Sequence, residues 1–442
     1  MELQLFTDQK GRDLRWIKFL ETPLGQLYQS IPFAELAKQF PPSSKTGRPP
    51  LMDVKGGIGL QVLKSYLQLS DSKLIDRLNS DWVLQYFCGI RLKAGQWIKD
   101  QDYVGRWRRY LADQINYGDF QKTLATFWQA YMNNTSAVMM DATCYESHLR
   151  YPTDVKLLWE CGENIWSRID NRCKELGLKK IRRKQKEQHQ AVLNYQKYKR
   201  KPKGLRKKRT RSLLYFLLKG LKEWDNLVFK HGVVLSQKDF TRLENIRLVY
   251  TQQKAKFDDP EFKIKDRIVS LFKPYIRPIV RGKESKRYEF GAKVHSFQID
   301  GITFVEHVSF DAFNEGIRLQ STVELSQDYF GLCKQIGADR IYANNANRKF
   351  CALKGITTSF VRKGPKPKTP TLKDSLRKEL SKIRAAQMEG TFGNEKLHYN
   401  LQTIKARTES TEKLWIHFGI WTASAMKIAK RMKVAKVVEM AA

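Results

Sequence analysis

The segment AVMMDAT, Ala137–Thr143, decides the fold class, because it is a short apolar run with one acid inside it. Such a run is typical of a strand that is buried on both faces, as in the centre of a mixed sheet. A carboxylate in a buried strand is costly unless it is paired or binds a cation. Asp141 is therefore either a residue that caps a turn at the strand end or part of a functional site.

The residues after this segment alternate between strand and helix patterns. Side chains from Tyr288 to Val294 follow the period of two of a strand, and Asp300-Gly301 is a strong hairpin signal. Together with Ala137–Thr143, these patterns predict an α/β fold, of the α+β kind with a mixed sheet. The later predicted strands are Ile302–Val308, Gln335–Tyr342 and Ile356–Val361, and the predicted helices are Asn314–Tyr329, Asn344–Leu353 and about 372–388 and 411–431.

The residues before this segment have a helical pattern. Apolar side chains recur at helical spacing from Val54 to Leu69, and Ser70 is a typical N-cap of a second helix that contains Leu74 and Leu78. Short helices joined by tight turns are typical of a helix-turn-helix-like module. The same helices could also simply pack on one another.

The chain is strongly basic, with 81 Lys and Arg against 45 Asp and Glu in 442 residues and a net charge of +36. Sixteen of these cations and one acid, Glu187, fall within Lys179–Arg211. Such a surplus favours a polyanion as partner, and nucleic acid fits better than an acidic membrane surface. The tract is either a surface for duplex phosphates or a solvated helix face.

No membrane or secretory segment is expected. The longest apolar run, Leu213–Leu218, is too short to span a bilayer, and the first residues lack the apolar core of a signal peptide. None of the six cysteines forms a Cys-x-x-Cys pair, so neither a zinc site nor a disulfide framework is indicated. We expect a soluble protein of a reducing cytosol.

Two further acids stand in unusual places. Asp339 follows an apolar run, and Glu389 lies on or near a helix. If both converge with Asp141, the three carboxylates form a hard-oxygen pocket suited to Mg²⁺ or Mn²⁺. Two such ions about 3.5–4 Å apart would hold the attacking and leaving oxygens of a displacement at phosphorus. Each acid could instead be structural, and Asp339 could pair with Arg340 or Arg348.

Several motifs carry a resemblance to a known family. The motifs are Gly47–Leu51 and Leu69–Leu78, Met140–Ser147 and Arg150–Asp154, Lys286–Val294, Asp339–Tyr342 with Asn347-Arg348, and Glu389–Lys396. On these motifs the chain resembles, over most of its length, a bacterial insertion-sequence transposase of the DDE type with a ribonuclease-H-like catalytic domain. In that resemblance the first two motifs belong to the N-terminal module, the next two to the first catalytic strand and Lys286–Val294 to the second strand.

The resemblance implies the site residues. Asp141, Asp339 and Glu389 are the implied catalytic residues and ligands of two Mg²⁺ or Mn²⁺ ions. Lys396, seven positions after the Glu, is implied to contact DNA phosphate near the cleaved end.

The chain departs from the family pattern on the N-terminal side of Glu389. Such families often carry a Tyr and an Arg seven and four positions before the Glu, where this chain has Lys382 and Ala385. Arg384 lies nearby and could substitute for the missing Arg.

The resemblance also implies a domain order and a set of DNA contacts. The implied order is an N-terminal helical, DNA-binding-like domain at 1–134, the first part of the ribonuclease-H-like core at 135–160, a large basic helical insertion at 161–262, and the rest of the core with the C-terminal helices at 263–442. The expected DNA-binding residues are Lys396, Arg348, Lys363, Lys366, Lys199, Arg200, Lys201, Arg206, Lys207, Lys208 and Arg209.

The sequence therefore predicts a DNA transposase that binds the terminal inverted repeats of its own insertion sequence and cleaves and transfers DNA strands. Its partners would be the double-stranded DNA of the element ends and of the target. A second copy of the chain would join it in the synaptic complex, and it would act in the bacterial cytoplasm, associated with the nucleoid. The alternatives are a catalytically inactive DNA-binding or regulatory derivative of the same fold, and a structure-specific nuclease.

Overall fold

A computed structural model describes residues 13–42, 50–280, 287–364, 369 and 371–441. The chain forms two compact units. Unit 1 comprises the residues up to 148 and those from 292 onward, and unit 2 comprises residues 149–291. The predicted domain boundaries remain a prediction.

The fold is a mixed α/β fold, and the described residues contain sixteen α-helices and six strands. The helices are α1 Leu14–Glu21, α2 Pro23–Gln29, α3 Phe33–Ala37, α4 Val54–Leu67, α5 Asp71–Ser80, α6 Trp82–Phe87, α7 Tyr103–Gln114, α8 Tyr117–Gln129, α9 Asp154–Glu175, α10 Gln185–Lys197, α11 Lys203–His231, α12 Gln237–Asp258, α13 Leu319–Phe330, α14 Asn345–Leu353, α15 Leu372–His398 and α16 Glu409–Ala441. The strands are β1 Ala137–Glu146, β2 Pro278–Val280, β3 Tyr288–Ile299, β4 Ile302–Ser309, β5 Gln335–Gly337 and β6 Thr357–Thr358.

Strand β1 lies in the middle of the sheet, as its apolar sequence predicts. The β3–β4 hairpin lies on one side of it, and β5 and β6 follow on the other. β1 and β5 run parallel, with Val138 opposite Ile336. The hairpin turn is confirmed, since Asp300 and Gly301 have φ angles of 50° and 76°. The short β2 pairs with the first residues of β3.

Two predicted strands are shorter than expected. The predicted strand Gln335–Tyr342 ends at Gly337, because the Ser359 hydroxyl bonds both the backbone N–H and the C=O of Ala338, at 2.9 and 2.8 Å, in place of a continued ladder. Asp339 then caps a turn of 3₁₀-helix at Arg340–Tyr342. Likewise only Thr357–Thr358 of the predicted strand Ile356–Val361 pairs.

The N-terminal helices of unit 1 pack tightly around α4. The predicted N-cap at Ser70 is confirmed, with its hydroxyl accepting from the Lys73 amide. A Cβ at Gly57 would lie 2.2 Å from the Trp107 ring, so glycine is required for this close approach of α4 and α7.

Three charged side chains of these helices meet in what we name the N-terminal ion cluster: Lys64, Asp71 and Arg108. The Asp71 carboxylate lies 2.9 Å from the Lys64 ammonium and 2.9 Å from the Arg108 guanidinium. Lys64 and Arg108 also lie 5.1 and 4.6 Å from the ring centre of Trp415 on α16. Burial alone would raise the pKa of Asp71, but its two cations lower that pKa to about 2.

Unit 2 has its own helical core between α9 and α11. Ile165, Trp166 and Leu217 are fully buried there. A Cβ at Gly220 would lie 2.9 Å from Ile165, so this glycine lets the two helices approach closely. The helices predicted for the basic segment are present as α9–α12, and its role as an insertion stays a prediction. Among the helices that the structure describes, none combines the length and the apolarity needed to cross a membrane.

Candidate active site

One face of β1 presents a row of side chains to helix α15. Because successive strand residues point to opposite faces, Met139, Asp141, Thr143 and Tyr145 share a face. Met139 packs in an apolar cluster with Leu380 of α15. The three polar members of the row each contact a polar side chain of the same helix.

These partners lie along the face of α15 that packs on the sheet. The Arg384 guanidinium donates to the Asp141 carboxylate at 2.7 Å. The Lys396 ammonium donates to the Thr143 hydroxyl at 3.0 Å, and the Tyr145 hydroxyl donates to the Glu395 carboxylate. The helix therefore aligns a row of polar contacts with the strand.

Arg384 joins two of the predicted catalytic acids. The same guanidinium nitrogen, Nη2, lies 2.7 Å from Asp141 and 3.9 Å from Asp339. The side chains of Arg384 and Asp141 are only 13% and 16% exposed, whereas that of Asp339 is 57% exposed. We name Asp141 and Asp339 the acidic pair. One cation faces two carboxylates here, one of them almost out of contact with water.

The surroundings of Asp141 oppose its ionisation. Burial raises the pKa of the Asp141 carboxyl, and the charge of Arg384 together with a hydrogen bond from the Ala142 amide offsets this only in part. The negative charge of Glu315 raises the same pKa further. Glu315 is itself paired with Lys293 at 2.7 Å. A cation close to Asp141 therefore stabilises its charged form.

Glu389 does not join the acidic pair in this structure. It is exposed on α15, five residues beyond Arg384, and it has no hydrogen bond or ion pair within the described part of the chain. Five residues on a helix correspond to about 140° of rotation at 3.6 residues per turn, so the two side chains leave α15 in different directions. The neighbouring Met388 occupies the buried face instead.

The residues present do not yet fit a metal ion. In the described ranges, no three His, Cys, Asp or Glu side chains are grouped so that they could hold one. The acidic pair supplies hard oxygen donors of the type that Mg²⁺ and Mn²⁺ prefer. A guanidinium lies between these donors, and the third predicted donor lies apart from them.

Further along the row on β1, at Tyr145, lies a buried carboxylate, Glu395. Burial raises its pKa to about 7, although the Tyr145 hydroxyl and the charges of Lys427 and Lys396 lower it. Lys427 is itself half-buried, and desolvation lowers its pKa. The Lys427 ammonium also donates to the Gly301 carbonyl at 2.7 Å, which links α16 to the hairpin turn.

The predicted DNA-binding residues of unit 1 differ in their contacts. Lys396 is half-buried beside Thr143, within the row on β1. Arg348 donates to the carbonyls of Ala343 and Val361, at 3.0 and 2.6 Å, so its guanidinium is held by backbone. Lys363 is exposed and donates to the Asn345 side chain. Lys366 lies outside the described residues.

The predicted DNA-binding residues of unit 2 are nearly all exposed. Lys199, Arg200 and Lys201 lie in the connection between α10 and α11, and the others lie in the first turns of α11. Arg206 pairs with Asp154, and Arg267 pairs with the other oxygen of the same carboxylate at 2.6 Å. The members on α11 are Arg206, Lys207, Lys208 and Arg209, of which only Arg209 is half-buried.

A cavity of about 510 Å³ opens beside this region of unit 2. The charged residues of its lining are all cations apart from Asp154, which is paired with two arginines. The charged residues around it are Asp154, Lys156, Lys201, Lys203, Arg206 and Arg267.

Sequence reasoning singled out the two Asp residues but not the side chains that hold them. The sequence offers Arg384 only as a substitute for the missing family Arg, and Glu395 only as a member of the Glu389–Lys396 motif without a role of its own. A signal exists: Leu380, Arg384, Met388 and Glu395 recur at intervals of four, four and seven, so two charged residues fall within the apolar stripe of a helix. Charged residues in such a stripe indicate buried ion pairs or a functional site.

Comparison with known families adds independent findings. Residues 336–422 match a transposase DDE domain, and residues 14–110 match a transposase domain described as DUF772. The first match begins within β5 and includes Asp339, Arg384 and Glu389. Both matched models describe transposase domains. Together they support, more narrowly, an insertion-sequence transposase of the DDE type. No curated protein and no solved structure matches the chain.

Proposed function

We propose that this chain is a DNA transposase that binds the terminal inverted repeats of its insertion sequence and catalyses metal-dependent DNA strand cleavage and strand transfer. The observation that carries the proposal is the acidic pair. Asp141 and Asp339, 198 positions apart in the sequence, meet at one guanidinium beside two adjacent parallel strands. A transposase DDE domain matches the part of the chain that includes Asp339 and Arg384.

We further propose that the catalytic core is ribonuclease-H-like. The strand order supports this, with the β3–β4 hairpin next to β1 and the parallel β5 and β6 on its other side. Such a core carries its first acid on the first strand and its second acid at the fourth. Asp141 lies in β1, and Asp339 follows β5, which is the fourth strand when the short β2 is left aside.

The proposed cofactor is a pair of Mg²⁺ or Mn²⁺ ions, and the proposed ligands are Asp141, Asp339 and Glu389. The oxygen chemistry of the three side chains supports this assignment. For Glu389 to take part, its side chain and that of Arg384 must both change position, because the exposed Glu389 now has no contact with either Asp among the residues described.

Double-stranded DNA is the proposed partner. The cationic cavity of unit 2 and the exposed cations of the α10–α11 connection support contact with backbone phosphates, since neutralising phosphates releases counter-ions from DNA. A second cavity of about 730 Å³ lies on the same basic tract. Its cations are Lys180, Arg182, Arg183, Lys184 and Lys186. We propose that a homodimer joins two element ends, in the bacterial cytoplasm at the nucleoid.

The first test is cleavage of a duplex that contains an element end, in Mg²⁺. Asp141→Ala is expected to abolish cleavage and to leave DNA binding in a gel shift intact. Asp113→Ala, which changes an exposed acid on α7, is the matched control and is expected to cleave normally. Cleavage at the wild-type rate by Asp141→Ala would remove this residue from the site.

The second candidate is a catalytically inactive, DNA-binding derivative. It is favoured because, among the described residues, no third metal donor lies beside the acidic pair. Under this alternative the wild-type chain shifts DNA in a gel and never cuts it. A nuclease differs from a transposase in its products. If the cleaved 3′-hydroxyl end never joins a target duplex while cleavage is efficient, the chain is a nuclease.

A separate test addresses the basic region of unit 2. Replacing the cations of Lys199–Lys203 and Arg206–Arg209 by Gln should weaken binding to all DNA sequences alike, because phosphates carry no sequence information. The slope of log affinity against log salt concentration should also become shallower. An unchanged slope would show that this region does not bind phosphate.

A further inference from the structure

Three aromatic rings of unit 2, which we name the ring stack, reach a cavity on the basic tract: Phe216, Trp159 and His189. The ring centres of Phe216 and Trp159 lie 6.0 Å apart with the rings inclined by 14°, and those of Trp159 and His189 lie 5.2 Å apart with the rings inclined by 11°. Phe216 and Trp159 are buried, whereas His189 is exposed. Because Trp159 and His189 also line the cavity of about 730 Å³, the ring stack ends in an exposed ring at that cavity.

The exposed ring of the stack has no polar contact of its own. Among the described residues, Trp159 is the only aromatic neighbour of His189, and His189 takes part in no hydrogen bond or ion pair. An exposed ring at the end of a stack can take one further flat π system against it. Nucleobases that have left their own stack bind to Phe, Tyr, Trp and His rings in this way.

The same cavity has a cationic wall that one arginine holds in place. Arg183 donates to both carboxylate oxygens of Asp170 on α9, each at 2.6 Å, and its side chain is only 4% exposed. This pair fixes the connection between α9 and α10. Arg182 and Lys186, on either side of Arg183 in the sequence, are exposed and have no acidic partner among the described residues. Their charges are therefore available to phosphate groups in the cavity.

The ring stack and the cationic wall together favour an unpaired nucleotide over a duplex. The bases of a duplex already stack on one another, so a protein ring can cover a base only where the strand is single or the base has left the helix. The volume of the cavity lies within the range of about 300–1,000 Å³ that is usual for sites of small ligands. Contacts with duplex phosphates alone would need neither the cavity nor the rings.

We infer that this cavity is a site for an unpaired nucleotide of single-stranded DNA, whose base stacks on His189 and whose phosphates contact Arg182 and Lys186. The inference rests on the proposed function only in taking DNA as the partner. It adds a site for single strands to a tract for which the proposed function provides only contacts with duplex phosphates.

The test measures binding of the full chain, by fluorescence anisotropy, to a thymidine oligonucleotide of about five nucleotides and to an abasic strand of the same length and charge. Wild type is expected to bind the strand with bases about tenfold more tightly than the abasic strand. His189→Ala removes the exposed ring and should reduce this preference to less than about twofold, whereas His189→Phe keeps a ring and should retain the preference. His231→Ala, which changes an exposed histidine at the end of α11, is the matched control and should also retain it.

The phosphate contacts are tested with the same two strands. The double variant Arg182→Gln, Lys186→Gln should weaken the binding of both strands alike, because an abasic strand keeps its phosphates. The slope of log affinity against log salt concentration should become shallower by about 1.4, which corresponds to two phosphates of a single strand. An unchanged slope would remove these two cations from the site.

The inference and the proposed function can fail independently. A wild-type chain that binds both strands equally would overturn the inference, and so would an unchanged preference in His189→Ala or a lost preference in His189→Phe. Duplex binding in a gel shift should be the same for His189→Ala and wild type, and an equal loss of duplex binding would contradict a site for single strands. The proposed function is judged separately, by whether Asp141→Ala still cleaves DNA.

Discussion

The N-terminal ion cluster and the acidic pair with Arg384 are opposite arrangements of three charges in the same unit. In the cluster, two cations share the carboxylate of Asp71. In the pair, two carboxylates share the guanidinium of Arg384. The first arrangement has an excess of positive charge and the second an excess of negative charge.

The excess positive charge of the cluster and the excess negative charge of the acidic pair have different surroundings. In the cluster, the Trp415 ring lies within 5.1 Å of both cations, and its negative π face balances part of their charge. The acidic pair has no such cover among the described residues, and one of its members, Asp339, faces water. The comparison teaches that the cluster has an aromatic ring against its excess charge, whereas the acidic pair leaves its excess charge on a carboxylate that is exposed to water.

The largest effect is expected when the shared carboxylate of the cluster is removed, which tests whether the cluster stabilises the fold. Asp71→Ala leaves Lys64 and Arg108, whose side chains are 7% and 8% exposed, as buried cations without a carboxylate partner in the cluster. We expect the free energy of unfolding in urea to fall by about 3–5 kcal/mol, as for other broken buried ion pairs. Asp76→Ala, on the exposed side of the same helix, should cost less than about 0.5 kcal/mol. Equal losses in the two variants would show that the cluster is not structural.

A second prediction concerns Glu395, a buried acid. The nearby cations Lys427 and Lys396 lower its pKa by less than burial raises it. Its folded pKa of about 7 lies above the ordinary value of 4.5, so the folded state binds the proton more tightly than the unfolded state does. Stability is therefore lost as the pH rises from about 4.5 to about 7, and the loss stays complete above pH 7. Glu395→Gln removes this loss, and relative to wild type it should gain about 3 kcal/mol over this range.

The measurement is urea unfolding of both proteins at several values between pH 4 and pH 8. Only the difference between them is used, because every other titrating group cancels. Glu379→Gln, exposed on the same helix, should show no change of the difference with pH. A constant difference for Glu395→Gln would mean that its carboxyl titrates normally.

The third prediction concerns removal of the shared charged side chain from the acidic pair, as Asp71→Ala removes it from the cluster. Arg384→Met removes its shared ion, and we expect a loss of only about 1–2 kcal/mol in buffer with EDTA, less than for the cluster. Asp339 stays hydrated, and Asp141 can take up a proton, so no uncompensated buried charge remains. A loss as large as that of Asp71→Ala would make Arg384 a structural residue and would weaken the comparison.

The sequence predicted those parts of the site that local patterns determine. The apolar run of β1 and the Asp300-Gly301 turn are local signals, and both were confirmed. The extent of β5 was predicted wrongly, because a side chain 21 positions away, Ser359, bonds the backbone at Ala338. The contact of Arg384 with Asp141 spans 243 positions and depends on how α15 packs on the sheet, so the apolar stripe of α15 could indicate a buried ion pair at Arg384 but could not identify Asp141 as its partner.

The smallest expected effect concerns Lys396, a cation that belongs to neither arrangement. Its ammonium donates to Thr143, two strand positions from Asp141, at 3.0 Å and lies 5.6 Å from the Tyr145 ring centre. If Lys396 also contacts one DNA phosphate, Lys396→Met should lower the slope of log affinity against log salt by about one, with a stability change below about 1 kcal/mol. Thr143→Val is the matched control, because it removes the hydrogen bond and leaves the charge, and it should keep the wild-type slope. Equal slopes for wild type and Lys396→Met would make this lysine a structural partner of β1, like the cations of the cluster, and not a DNA contact.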